Sequence, residues 1–383
     1  MKKKIVSMML VAGLMAGMVV ESAMAATRYT LTGLDVGADS DAYGISDSGY
    51  ITGRVYQKDY PGFDHMFRWD GSAGFGGLQF IPELSLDNVF GSCGYAVNNN
   101  GMVVGACNVG GVEHPQAVAS EDAHQMYALW GLPGVNISYA FGVNNWGTAA
   151  GMLNAHAIAT GYELETTLVS YAYDITDGGK VVGKALNTAG TSWKGLLWTL
   201  GDGIMRKILM PADGYTNSDA RGINEIENRA VGNSFVDWDN QQATVWTKSG
   251  LDWLGVTTGT TLPYLDADSN TYSFAYEVNN DNLIVGTSGG DISNIYTHTA
   301  CLWEEAGLGS YDVYNLNSLV DNMPSGWTLN DARDINAGGQ IVGIMSYGYG
   351  DTYRAFVLNP VPEPATICLF ALGVLSMGRK KRR

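Results

Sequence analysis

The chain of 383 residues repeats one short phrase seven times, and this repetition constrains its fold more than any single motif. Each copy contains a small residue, an aliphatic and polar pair, a turn, an aliphatic pair and a glycine. The copies are AYGISDSGYITG from Ala42, GYAVNNNGMVVG from Gly94, AFGVNNWGTAAG from Ala140, AYDITDGGKVVG from Ala172, ARGINEIENRAVG from Ala220, AYEVNNDNLIVG from Ala275 and ARDINAGGQIVG from Ala332. A unit of about 48 residues cannot bury a hydrophobic face alone, so the copies must stack or close on one another.

Composition and turn chemistry indicate that each phrase is a β-hairpin. The chain has 50 glycine, 21 tyrosine and 10 tryptophan residues, together with short runs of valine and isoleucine, as all-β proteins do. The residue four before the final glycine of the phrase is glycine in five copies, and it is Asn228 or Asn282 in the other two. Glycine and asparagine best tolerate the positive φ of a tight turn.

Two further strands are predicted in each unit. A third-strand phrase follows each hairpin: HMFRW from His65, QAVAS from Gln116, HAIAT from His156, GLLWT from Gly195, QATVW from Gln242, TACLW from Thr299 and RAFVL from Arg354. Fourth strands are predicted in GLQF from Gly77, IMRKIL from Ile204, DWLGV from Asp252 and YDVYNL from Tyr311. Four strands in each of seven units predict an all-β, seven-bladed β-propeller over residues 26–360.

The ends of the repeat array predict how the ring closes. The last unit stops after its third strand, while RYTLTGLDV from Arg28 precedes the first unit, so this N-terminal strand is expected to complete the last blade. The close spacing of Ala140 and Ala172 predicts a third blade with a trimmed outer strand, or one that lacks a full outer strand.

The repeats resemble the bacterial extracellular HAF repeat family. The shared pattern is a hairpin with the consensus A-x-x-I-N-x-x-G-x-x-V-G, followed by a His-Ala-Phe-like strand. The segment from Asn315 that matches it best is NLNSLVDNMPSGWTLNDARDINAGGQIVG. The resemblance implies export but no activity. The histidine of the His-Ala-Phe pattern is present only as His65 and His156, so it is not a catalytic group shared by the repeats.

The N-terminus has the pattern of a secretory signal peptide over residues 1–25. Three lysines precede an apolar stretch, and AMA precedes Ala26, so cleavage is predicted between Ala25 and Ala26. The alternative is a retained membrane anchor.

The C-terminal residues 361–383 combine a proline-rich break, an apolar run of about 13 residues, which is about 20 Å as a helix, and a basic cluster. This tail resembles the PEP-CTERM sorting signal, which is also catalogued as an ice-binding protein C-terminal domain. The signal residues are Val361, Pro362, Glu363 and Pro364, followed by Arg379, Lys380, Lys381, Arg382 and Arg383. The resemblance implies a Gram-negative bacterium, passage across the inner membrane and processing by an exosortase, linked to exopolysaccharide production. The helix is predicted to be a short or temporary transmembrane anchor, since a bilayer core is about 30 Å thick.

Charge restricts the partners. The net charge is −16, and the stretch from Ala26 to Pro362 has 14 basic and 36 acidic residues. Such a surface does not suit nucleic acid or anionic lipid, which need basic residues. We expect an exported monomer, at the cell surface or in the matrix after tail processing and otherwise anchored facing the periplasm. Its expected partners are an exosortase-type enzyme and polysaccharide.

Cysteine spacing and acidic residues give two site predictions. A symmetric second hairpin would place Cys93 opposite Cys107, which predicts a cross-strand disulfide. The segment DADSNTYSFAYE has oxygen ligands at calcium-loop positions in Asp266, Asp268, Asn270 and Glu277, but it lacks the loop glycine and the flanking helices. No catalytic, cofactor-binding or zinc-binding residue is predicted, and no cofactor is implied.

Two classes of function remain open after the sequence analysis. The favoured one is a non-enzymatic surface or matrix protein that binds exopolysaccharide, with Trp146, Trp193, Trp238 and Trp327 as candidate binding aromatics. The alternative is a propeller enzyme acting on extracellular glycans or phosphates, which would need a non-repeated cluster of His, Arg and carboxylates at the channel mouth. No such cluster is apparent in the sequence.

Overall fold

The computed structural model of this chain contains seven small sheets, one for each repeat. The structure describes residues 27–34, 39–56, 64–71, 77–82, 91–108, 115–123, 125–130, 137–201, 203–226, 228–237, 239–249, 253, 257–266, 272–290, 293–307, 309–348, 350 and 352–362. One compact unit spans Tyr29–Pro360. The prediction of an all-β, seven-bladed β-propeller is confirmed.

Each hairpin phrase supplies the two inner strands of a blade. The innermost strands are β2 (Ser40–Ile45), β6 (Ser92–Val97), β10 (Ser138–Val143), β14 (Ser170–Ile175), β18 (Asn217–Ile223), β23 (Ser273–Val278) and β27 (Trp327–Ile335). The second strands are β3 (Tyr50–Tyr56), β7 (Val103–Asn108), β11 (Ala149–Leu153), β15 (Lys180–Leu186), β19 (Arg229–Phe235), β24 (Ile284–Ser288) and β28 (Ile341–Tyr347).

The third strands also lie where the sequence predicted them. They are β4 (Asp64–Asp70), β8 (Pro115–Ser120), β12 (His156–Ala159), β16 (Trp193–Thr199), β20 (Gln241–Thr247), β25 (Thr299–Gly307) and β29 (Thr352–Pro360). The one α-helical turn of the described chain, α1 (Leu316–Leu319), follows the sixth blade.

The outer strands are short and less regular. They are β5 (Leu78–Phe80), β9 (Tyr127–Ala128), β13 (Tyr162–Glu163), β17 (Met205–Met210), β22 (Thr260–Thr261) and β26 (Ser310–Asn315). The outer strand of the third blade, β13, is two residues long, as the close repeat spacing suggested. The fourth strand predicted in DWLGV lies outside the described residues except for Trp253, and the short strand β22 pairs with β20. A further strand, β21 (Thr257–Thr258), pairs in parallel with β17.

The N-terminal strand β1 (Tyr29–Gly33) is the fourth strand of the seventh sheet. It pairs antiparallel with β29, with Tyr29 opposite Pro360 and Gly33 opposite Phe356. Its role in closing the ring stays a prediction.

A close approach between strands explains the glycine that ends every phrase. This glycine lies on the second strand, and a Cβ there would be 1.9 Å from the carbonyl oxygen of a residue on the innermost strand. The distance is the same at Gly53, Gly105, Gly151, Gly183, Gly232, Gly286 and Gly343. No other residue fits at that separation.

A β-bulge interrupts every innermost strand directly after the small residue of the phrase. In the first blade the pairing passes from Ala42 to Gly44, so Tyr43 has no partner across the hairpin. The same shift leaves out Tyr95, Phe141, Tyr173, Arg221, Tyr276 and Arg333 in the other blades. A bulge changes the direction in which a side chain points. In each blade, one residue lies at such a bulge.

The hydrophobic core lies between neighbouring blades. One cluster joins Ile51 and Phe67 of the first blade to Val342 and Val357 of the seventh. Buried serines add a polar link, because each accepts a hydrogen bond from a third-strand amide of the adjacent blade. These serines are Ser40, Ser92, Ser138, Ser170, Ser218 and Ser273, two residues before the small residue of the phrase.

Candidate ligand site in the propeller channel

The innermost strands run side by side around a central channel. We call the end of the hairpin turns the lower end and the end where the innermost strands begin the upper end. Equivalent positions of the seven strands form layers across the channel, because the strands share one register. The layers are described below from the upper end downward.

The seven bulged residues form a ring of aromatic and arginine side chains, which we call the channel ring: Tyr43, Tyr95, Phe141, Tyr173, Arg221, Tyr276 and Arg333. Ring centroids lie 5.8 Å apart for Tyr43 and Tyr95, and 5.4 Å apart for Phe141 and each of Tyr95 and Tyr173. The guanidinium of Arg221 lies 3.9 Å from the centroid of Tyr173. Such contacts combine quadrupole and charge attraction.

Three buried carboxylates lie two residues before members of the channel ring, and each pairs with a cation. Asp331 pairs with Arg333 at 2.5 Å, and Asp219 pairs with Arg221 at 2.9 Å. The Nζ of Lys184, on β15, also contacts Asp219 at 2.9 Å.

The third carboxylate, Asp41, accepts from Nε of Arg54 at 2.7 Å, and Arg54 reaches Asp64 with Nη1 at 2.9 Å. These charged residues come from the first, fourth, fifth and seventh blades. They form a non-repeated ionic cluster beside the upper channel. No such cluster was apparent in the sequence, because its members come from separate blades.

The electrostatics of this cluster favour charged arginines. Burial lowers the pKa of Arg221 and of Arg333, but the neighbouring aspartates and channel-ring tyrosines together outweigh it and raise both pKa values. Burial lowers the pKa of Lys184 although Asp219 opposes the shift. Burial also raises the pKa of Asp331.

A cavity of about 180 Å³ opens beside the upper channel between the first three blades. Its wall includes Arg54, Asp64, Cys93, Tyr95 and Tyr139. Tyr139 stacks on Phe141 at 5.5 Å with an interplanar angle of 7°. The cavity therefore combines aromatic faces with one ion pair, a composition typical of ligand pockets.

Three carboxylates lie below the channel ring and form what we call the acid layer: Asp174, Glu277 and Asp334. They line a cavity of about 150 Å³ at the lower end. Asp174 accepts hydrogen bonds from its neighbour Ile175 and from Ile223 of the next blade, and Asp334 accepts from Ile335 and Ile45 in the same way.

Burial raises the pKa of every carboxyl group in the acid layer. The value is about 6 for Asp174 and about 7 for Asp334, although backbone amides donate to both and oppose the shift. The pKa of Glu277 is raised well above its ordinary value by burial and by the charges of Asp174 and Asp334. At the rim, burial raises the pKa of Glu225 to about 7.

A belt of buried polar side chains encircles the lower end, which we call the amide belt: Ser46, Asn98, Asn144, Thr176, Asn224, Asn279 and Asn336. Their side-chain oxygens accept hydrogen bonds from their own turns, as in the bond from the amide of Thr148 to Asn144 at 2.9 Å. The asparagine amides also donate to the next blade, and Asn336 reaches the carbonyl of Ser46 at 3.1 Å.

The disulfide predicted between Cys93 and Cys107 is wrong. The bulge at Tyr95 shifts the register by one residue, so that Cys93 lies opposite Ala106 and Cys107 lies opposite Ser92. Side chains alternate between the two faces of a strand, so the two sulfurs point to opposite faces. Both cysteines are thiols, and burial raises the pKa of Cys93 to about 12.

The candidate calcium residues divide between described and undescribed positions. Asp268 and Asn270 lie outside the described residues, as do the signal cleavage residues Ala25 and Ala26 and the tail beyond Pro362. Glu277 belongs to the acid layer, where its Oε1 accepts from the amide of Val278 at 2.9 Å. Within the described ranges, no group of three or more His, Cys, Asp or Glu side chains is placed to hold a metal ion. Calcium binding stays a prediction.

The tryptophans differ in their burial. The third-strand residues Trp198, Trp246 and Trp303 are fully buried core residues. Trp193 lies at the upper channel, with its ring 5.0 Å from Nζ of Lys184 and 6.0 Å from Tyr171. Trp146 is 78% exposed on a lower turn.

The tail motif is identified by comparison with protein families, and the repeats are not. A PEP-CTERM protein-sorting motif matches residues 360–383, whereas no curated protein matches the chain. The motif marks an exported protein that an exosortase processes and sorts to the cell envelope or surface. Val361, at its start, donates from its backbone amide to the carbonyl of Arg28 at 2.8 Å. Among the described residues, no helix has the length and apolar character needed to cross a membrane.

Solved structures give the chain distant neighbours. A streptogramin B lyase structure is 11% identical with a TM-score of 0.48, covering 87% of this chain and 98% of that one. Virginiamycin B lyase from Staphylococcus aureus is 11% identical with a TM-score of 0.33, covering 87% and 100%. Puromycin hydrolase is 10% identical with a TM-score of 0.36, covering 82% and 50%. The seven sheets of the chain and the match of its tail define a seven-bladed β-propeller with an exosortase sorting motif.

Proposed function

We propose that this protein is a non-enzymatic propeller of the cell surface or matrix that binds exopolysaccharide in its upper channel. The observation that carries the proposal is the row of aromatic side chains from the second, third and fourth blades, Tyr95, Tyr139, Phe141 and Tyr171, of which Tyr95 and Tyr139 line the 180 Å³ cavity. The C–H faces of sugar rings are apolar and pack on aromatic faces, while polar groups at the edge receive the hydroxyls.

The state of the carboxylates supports binding rather than catalysis. Asp41, Asp219 and Asp331 are each paired with a cation and buried behind it. A general acid or base must reach the proton that it transfers. Carboxylates held in this way instead position their arginines. The assignment of the repeats to the HAF type is part of this proposal, because exported repeat proteins of that type suit the same role.

The test is binding of purified protein to exopolysaccharide from its host, measured by titration calorimetry. We expect Tyr139→Ala, in the wall of the cavity, to weaken binding by roughly tenfold, since stacking and burial of one aromatic contribute about 1–2 kcal/mol. Tyr162→Ala, on the outer strand β13 away from the channel, is the matched control. Equal affinity for all three proteins would reject the channel as the binding site.

One observation favours the alternative, a glycan-acting propeller enzyme. Burial raises the pKa of Asp331, although the charge of His298 opposes the shift. Groups with perturbed pKa values cluster at active sites. Release of reducing ends from the same polysaccharide, abolished by Asp331→Asn, would establish the enzyme.

A further inference from the structure

The ion pairs of the upper channel present their cations and hide their anions. The side chains of Asp41, Asp219 and Asp331 are at most 4% exposed, whereas those of Arg54, Arg221 and Arg333 are 37%, 30% and 22% exposed. A ligand in the channel therefore meets guanidinium groups, although the chain as a whole has a net charge of −16.

Each of these arginines keeps hydrogen-bonding capacity after its ion pair is formed. Arg221 uses Nε and Nη2 on Asp219, and Arg54 uses Nε on Asp41 and Nη1 on Asp64. Arg333 uses Nη2 on Asp331. In the described part of the chain, Nη2 of Arg54 and Nη1 of both Arg221 and Arg333 have no hydrogen-bond partner, and a guanidinium has five N–H donors.

The cations gather around Tyr43 and Tyr276, and Arg54 also borders the cavity that Tyr95 and Tyr139 line. Arg54 and Arg333 both lie over Tyr43, at 5.9 Å and 5.6 Å, and Arg333 also lies over Tyr276 at 4.5 Å. These residues belong to the first, sixth and seventh blades, and Arg221 adds a cation from the fifth. The second and third blades, next to Arg54, contribute Tyr95, Tyr139 and Phe141, which we call the aromatic side.

We propose that the upper channel binds an acidic polysaccharide, with a uronate carboxylate on Arg221 and Arg333 and the sugar ring against the aromatic side. This inference rests on the proposed function, because it names the class of glycan that the same site takes. A planar guanidinium matches a carboxylate in charge and geometry, so arginine recognises it better than lysine does. Neutral glycans would satisfy the aromatic side but leave the guanidinium groups without an anion.

The test compares a polyuronate with the same polymer after chemical reduction of its carboxyl groups. The wild-type protein is expected to bind the polyuronate roughly tenfold or more tightly than the reduced polymer, since a charged hydrogen bond contributes about 1.5–3 kcal/mol. Added salt should weaken polyuronate binding and leave binding of the reduced polymer unchanged.

Arginine variants assign the effect to the site. Arg221→Gln leaves Asp219 paired with Lys184, and Asp331→Asn with Arg333→Gln removes both members of the other pair, so neither variant leaves a buried carboxylate alone. Both should bring the affinities for the two polymers together. Arg206→Gln, whose side chain is 45% exposed on β17, is the control and should bind as wild type.

The outcomes separate the two levels of the proposal. Equal affinity of the wild-type protein for both polymers, unchanged in the arginine variants, would overturn the acidic ligand while glycan binding stands. No binding of either polymer or of host exopolysaccharide would overturn the proposed function itself.

Discussion

The junction between the seventh and first blades can be tested at one side chain, Asn336. Its Oδ1 accepts from the amide of Gln340 at 2.9 Å, and its Nδ2 donates to the carbonyl of Ser46 and to Oε1 of Gln340, at 3.1 Å and 2.9 Å. Asn336→Ala removes all three bonds from a buried site. At about 1 kcal/mol net for each hydrogen bond, we expect a loss of about 3 kcal/mol in the free energy of unfolding.

Asn144 provides a reference inside the array. It also makes three bonds, from the amides of Trp146 and Thr148 and to the carbonyl of Thr176 in the next blade. In a closed ring the junction of the last and first blades is equivalent to any other. Asn144→Ala and Asn336→Ala should therefore cost the same within about 1 kcal/mol.

Calorimetric melting of the two variants measures this cost. A propeller of about 330 residues unfolds with an entropy near 0.7 kcal/mol/K, so a loss of 3 kcal/mol lowers Tm by about 4 °C. Asn336→Ser should recover about a third of the loss, because the serine hydroxyl caps the turn as Ser46 does in the first blade. A wild-type Tm for Asn336→Ala together with a 4 °C loss for Asn144→Ala would refute the closed ring.

The acid layer, the close strand contacts and the N-terminal strand give three further predictions. The raised pKa values of the acid layer mean that the folded protein binds protons more tightly than the unfolded chain. The contribution of this layer to the free energy of unfolding should therefore be complete below about pH 4 and be lost as pH rises through 6–7. Glu277→Gln should raise Tm at pH 8 and reduce this pH dependence, and an unchanged profile of Tm against pH would contradict the assignment. Gly183→Ala places Cβ 1.9 Å from a carbonyl oxygen and should cost about 3 kcal/mol or more, measured by urea unfolding, whereas Gly201→Ala meets no atom within 4 Å and should be neutral. Deletion of Tyr29–Gly33 exposes the edge of β29 and should lower Tm and cause aggregation detectable by light scattering; a monomer of wild-type Tm would show that this strand does not close the ring.

The blades could be predicted from the sequence because their signals are local. A turn glycine with positive φ, such as Gly49 at 85°, and a strand of alternating small and aliphatic residues depend on neighbours within one hairpin. The serines that link adjacent blades were missed, although Ser or Asn stands two residues before the small residue in all seven copies. The channel ring was missed as well, although an aromatic residue or arginine follows that small residue in every copy.

The ionic cluster could not be predicted in this way, since its members come from separate blades. Arg54 and Arg333 lie at opposite ends of the repeat array and share the ring of Tyr43 only in the folded propeller. The register of the second hairpin could not be predicted from the sequence for a related reason. A symmetric turn would pair Cys93 with Cys107, and the bulge that prevents it forms where neighbouring blades crowd around the channel.

The sequence by itself determined the number of blades, the position of three strands in each of them and the sorting motif, because repeat period, turn chemistry and a linear signal are all written in neighbouring residues. The tertiary structure alone decided which side chains meet in the channel and which member of each ion pair is exposed there. Stacking seven copies in one register brings equivalent positions into layers, and the differences between the copies then become the chemistry of the site.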